Sequence, residues 1–106
     1  MINIIDYEVL PGAEFVLDGI EKLKEGKVTE ATLLVEMGAR RLRAVGIEVP
    51  EIPKDEELPS HRLYHLLAEK YGNGAHSKYN ASVRRLVSFQ RAAGFLRNNL
   101  VHTSVS

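Results

Sequence analysis

Apolar residues along this chain recur at the three-to-four-residue spacing of helix faces, and glycine and proline interrupt the recurrence. Phe15, Val16, Ile20 and Leu23 mark a first helix. Pro11 suits its opening turn, where a missing N–H is harmless, and Gly26 stops it. The turn Gly26-Lys27-Val28 leads to Thr29, whose hydroxyl can cap a second helix, with Val28 and Leu33 placed for a hydrophobic staple. Ala31, Leu34, Val35, Gly38, Leu42 and Val45 form one stripe of that helix, Glu36 and Arg40 stand four apart on another face, and Gly46 ends it. From Ile47 to Pro59 the periodicity vanishes. Pro50, Pro53 and Pro59 with the run Lys54-Asp55-Glu56-Glu57 read as a solvated crossing loop.

A third helix is expected from a Ser60 cap through Lys70, with Leu63, Leu66 and Leu67 inward, broken by Tyr71-Gly72-Asn73-Gly74. Ser77 or Asn80 then caps a fourth, whose inner side carries Val83, Leu86, Val87, Gln90, Ala93 and Leu96 and which can run on to Leu100. Short turns make each pair antiparallel neighbours. The expectation is an all-α fold, a single domain over 1–106, built as a small bundle of about four helices in two hairpins. Residues 2–10, with Ile2, Ile4, Ile5, Val9 and Leu10, are read as a short N-terminal arm that packs on a neighbour.

Composition sharpens this reading in three ways. A hydrophobic content of 44% over 106 residues suffices for one core, but a core so small makes homo-oligomerisation the default expectation. The absence of cysteine removes disulfides, thiolate metal sites and cysteine nucleophiles, and fits a reducing compartment. No basic start with a long apolar run opens the sequence, and no stretch approaches the roughly 18 apolar residues of a membrane span. A cytoplasmic protein without a membrane partner is therefore expected.

The formal net charge of zero conceals two unlike halves. Residues 1–57 hold thirteen acids against seven bases, whereas from Leu58 onward the only acid is Glu69, against seven Lys and Arg. All four histidines lie in that basic half as well. Such asymmetry points to an anionic partner, either nucleic acid or an acidic protein surface. Within the basic half, Lys78, Arg84, Arg85 and Arg91 fall on the fourth helix, and Arg84 and Arg91, seven apart, share a face. They are candidates for phosphate contact, with Tyr71, Tyr79 and Phe89 as candidates for stacking on bases. The contrasting expectation is that the basic half packs on the acidic half, within one chain or across a dimer.

Two further groupings carry candidate chemistry. Gly72, Gly74 and His76 precede a helix N-terminus, where free backbone N–H groups can hold an anion, although their spacing is not that of a P-loop. His61, His65 and Glu69 recur every fourth residue on the third helix and, with His76, have the chemistry of metal ligands. They lack a His-Glu-x-x-His element, and no metal is expected. Neither a serine nucleophile motif nor a dinucleotide-binding glycine fingerprint is present, so no cofactor is implied.

The stretch Leu96-Arg97-Asn98-Asn99-Leu100-Val101-His102 sets an arginine and a histidine with four residues between them, and an asparagine directly after the arginine. It resembles the signature of the HEPN superfamily, small helical bundles that often act as metal-independent ribonucleases or as nucleotide-binding partners in toxin systems. In that family the arginine and histidine of two subunits face each other across a dimer. The resemblance implies Arg97 on the scissile phosphate, Asn98 orienting it, and His102 in acid/base work during attack by the ribose 2′-hydroxyl. Three functional expectations follow. The leading one is a binding or assembly module whose basic C-terminal half contacts an anion such as nucleic acid. The others are a HEPN-like ribonuclease and a purely structural homo-oligomer.

Overall fold

The computed structural model describes the backbone of residues 9–105 and the side chains of residues 9–97. The fold is all-α, with no strand among the described residues. Helix α1 spans Ala13–Lys24, α2 Glu30–Ala44 and α3 Pro59–Tyr71; a 3-10 turn over Gly72–Gly74 leads into α4, Ala75–Val105. The arm expected over residues 2–10 lies largely outside the described residues. No described helix is long and apolar enough to cross a membrane.

Helix α2 starts as its sequence predicts and then departs from it. Thr29 caps it by accepting from the Thr32 N–H, while Thr32 Oγ1 accepts in return from the Thr29 N–H at 2.8 Å. The expected staple is not built, because Val28 is exposed and Leu33 buried. Nor is α2 confined to one apolar stripe, since every residue from Ala31 to Glu36 is buried. A helix surrounded on most sides occupies the middle of the fold, and α2 touches α1, α3 and α4. Glu36 consequently turns inward and pairs with Arg62 of α3, while Arg40 stays exposed.

Three other boundaries move. Gly12, at φ +81°, caps α1 in place of a start at Pro11. A Cβ at residue 12 would come within 2.6 Å of the Arg85 carbonyl oxygen, so glycine lets α1 begin directly against α4. Pro59 is not part of the loop but opens α3, after Leu58 as N-cap, which leaves Ser60 inside the first turn. The break expected at Tyr71–Gly74 is one 3-10 turn, and α4 begins at Ala75, ahead of both Ser77 and Asn80.

The core joins Val16, Ile20 and Leu23 of α1, Leu34, Val35 and Leu42 of α2, Leu63 and Leu67 of α3, and Leu86, Phe89 and Ala93 of α4. Where α2 meets α4 the approach is too close for a side chain: a Cβ at Gly38 would stand 2.5 Å from Gln90 Nε2. That amide donates to the Gly38 carbonyl at 3.4 Å and ties the two helices together. The crossing loop is held to this core. Ile47 is buried, Val49 and Ile52 pack against the cluster, and the Arg43 guanidinium donates to the carbonyls of Val49 and Pro50.

Candidate functional site

The two charged halves meet within one chain, and the meeting place is α3. Arg62 Nη1 lies 3.1 Å from Glu36 Oε1 and its Nε 3.4 Å from Asp55 Oδ2. Lys70 reaches Glu30 at 3.4 Å, and His65 Nδ1 approaches Glu57 Oε1 at 2.9 Å. No aligned hydrogen bond reaches that Glu57 oxygen, so the contact is a close approach of the two groups rather than a hydrogen bond. Each pair takes its base from the second half of the sequence and its acid from the first. The basic residues of α3 are thereby compensated internally.

Those of α4 divide into two sets. Lys78 sits over the Tyr71 ring at 5.0 Å and Arg85 over the Phe15 ring at 5.1 Å, both cation–π contacts within the chain. Arg84 and Arg91 are exposed and have no acidic partner among the described residues. Seven residues apart on a continuous helix, they lie about 20° apart around its axis. Arg41, near the end of α2, is likewise exposed and has no acidic partner among the described residues, and it lines a cleft of about 360 Å³ with Val45, Gln90, Arg91, Gly94 and Phe95. Helix packing thus sets Arg41 and Arg91 on one cleft, although they are fifty residues apart in sequence.

Of the expected stacking residues, Phe89 is fully buried and belongs to the core. Tyr79 is half-buried and meets Tyr64 edge to face at 5.8 Å, and Tyr71 lies under Lys78. The ring that stands beside the arginines is instead Phe95, 70% exposed. Sequence reading missed it and Arg41 for different reasons. Phe95 lies four residues beyond Arg91 and so on its face, a signal present in the sequence but masked by its apolar type. Arg41 sits in the acidic half, where the half-by-half balance hides the cluster Arg40, Arg41 and Arg43.

At the other candidate positions the structure offers less. Gly72 and Gly74 form the 3-10 turn, in which the Ala75 N–H donates to the Gly72 carbonyl, so a backbone donor at that helix start is already used. His76 is exposed in the first turn of α4. His61, His65 and Glu69 are exposed along α3, and no three His, Asp or Glu among the described residues are placed to hold a metal. A second cleft, about 490 Å³, lies among Glu14, Phe15, Asp18, Glu30, Lys70 and Tyr71, and its three carboxylates disfavour an anion.

The motif Arg97, Asn98 and His102 lies within α4, whose backbone stays helical to Val105. Arg97 is half-buried; the side chains of Asn98 and His102 are outside the described residues. Positions five apart on an α-helix are separated by about 140° around the axis. A single chain therefore does not set positions 97 and 102 on one face. Positions 91 and 97 are about 120° apart by the same geometry, so Arg97 does not extend the Arg84–Arg91 face. No protein-family model matches the chain, and neither a curated protein nor a solved structure matches it.

Proposed function

We propose that this protein is a nucleic-acid-binding module whose contact surface is the outward face of α4, with Arg84 and Arg91 on phosphates and Arg41 of α2 beside them. The carrying observation is that these three arginines are exposed and have no acidic partner among the described residues, while Arg62 and Lys70 of α3 are matched with acids. A guanidinium presents a planar fork of donors that suits phosphate oxygens. Arginines at a seven-residue interval keep to one side of a straight helix and can follow a phosphate backbone rather than encircle a single ion. Homo-oligomerisation, expected for so small a core, would present two such faces to one strand.

Fluorescence anisotropy with mixed-sequence RNA and DNA at rising salt tests this reading. Binding is expected at low salt and weakens as salt releases the advantage of displaced counterions. The double variant Arg84→Ala with Arg91→Ala is expected to lose about tenfold or more in affinity and to flatten the salt slope by about two units. Both residues are exposed, so the fold is retained. No binding at low salt, or binding indifferent to the double variant, overturns the reading. If the same RNA is cut without metal and His102→Ala abolishes cutting, the ribonuclease reading takes its place.

A further inference from the structure

The arginines account for attraction to phosphate but not for the ring beside them. Phe95 is 70% exposed on the rim of the cleft between α4 and the end of α2. A large apolar side chain left in water forgoes the stabilisation of burial, and nothing among the described residues covers it. Two guanidiniums without an acidic partner among the described residues, Arg41 and Arg91, flank the same opening. We propose that this cleft is a base-stacking subsite, so that the surface takes unpaired nucleic acid in preference to duplex; the inference rests on the phosphate-contact reading above.

The chemistry of the cleft favours a flat aromatic ligand attached to a phosphate. Every nucleobase has a π-face, which the Phe95 ring or a guanidinium plane can cover, and the attached phosphates meet the arginine charge. A volume of about 360 Å³ is at the small end of the range for ligand sites. It has room for one splayed base. Gly94 and Val45 line the cleft without crowding: a Cβ placed at residue 94 would only reach ordinary contact with Val45, at 3.9 Å. The Gln90 amide is buried and donates inward to Gly38, so the walls offer stacking and charge rather than readout of base edges. A duplex hides its base faces inside the stack, where Phe95 cannot reach them.

The test uses three probes at one low salt concentration: a mixed-sequence single-stranded oligonucleotide, that strand annealed to its complement, and inorganic polyphosphate. The protein is expected to bind the single strand most tightly. Phe95→Ala should weaken single-strand binding about tenfold and leave duplex and polyphosphate binding unchanged, whereas Phe95→Trp should restore it. Because the chain has no tryptophan, the indole of F95W is a sole reporter, and its emission should be quenched by the single strand alone. The subsite is overturned if F95A binds the single strand as the parent does, if it weakens all three probes equally, or if F95W emission does not respond. Under any of those results the arginine surface still stands when R84A/R91A loses the duplex and polyphosphate. Failure of all three probes to bind overturns both readings.

Discussion

Glu36 shows how a single residue records its surroundings. On α2 it sits where the helix is enclosed, and burial pushes its carboxyl above the ordinary carboxylate range, partly opposed by the charge and hydrogen bond of Arg62, while the nearby Asp55 charge adds to the rise. A carboxyl that holds its proton more tightly when folded than when unfolded stabilises the fold at acid pH, and that contribution is lost as pH rises through the folded value. Glu36→Gln removes the titration while keeping an acceptor for Arg62. Thermal melts between about pH 4 and pH 7 should therefore show the parent losing stability relative to E36Q as pH rises. A pH-independent difference between the two proteins would count against this account. From the sequence alone Glu36 and Arg40 look like a surface pair, because the i, i+4 interval says nothing about which helix will arrive over that face.

At the scale of the element, the ends of helices were legible wherever the signal is chemical and local. Thr29 is such a case, since its hydroxyl serves N–H groups a few residues away whatever else the chain does. What sequence reading did not supply is the reciprocal partner, Thr32, a buried threonine standing where glutamate or glutamine is the usual choice. Thr29→Ala is expected to cost about 0.5–2 kcal/mol in denaturant unfolding. Val28→Ala should cost almost nothing, because Val28 is 62% exposed and staples nothing. Equal losses in the two variants would mean that the cap is not what fixes the start of α2. The α3–α4 junction was less legible, because a glycine pair is compatible both with a loop and with the tight 3-10 turn that occurs.

Across the whole molecule, α4 sets the shape and the surface. Its 31 residues correspond to about 46 Å, close to the longest dimension of 52 Å. Phe89, fully buried midway along it, packs in the core that α1, α2 and α3 also supply. Phe89→Ala is expected to cost about 3–5 kcal/mol, a large share of the roughly 5–15 kcal/mol that holds a domain together. A denaturant midpoint that barely moves would show that this core does not depend on the ring. The same packing sorts the charges. It brings α3 against acids from the first half, folds Lys78 and Arg85 over rings, and leaves Arg84 and Arg91 facing water.

By itself the sequence determined the all-α class, the cap at Thr29, the inward positions of Leu63, Leu67, Leu86 and Ala93, and the shared face of Arg84 and Arg91. These follow from backbone hydrogen bonding and from the 3.6-residue repeat, which act over a few residues. Tertiary structure decided the rest: that Phe89 is core while Phe95 is surface, that Glu36 turns inward, and that Arg41 joins Arg91 on one cleft. It also decided which members of a basic half would find acids. Each of these depends on which helix packs against which face, and that is fixed by close approaches such as Gly12 on Arg85 and Gly38 on Gln90, between residues more than fifty positions apart. Periodicity within a helix carries no information about such distant partners.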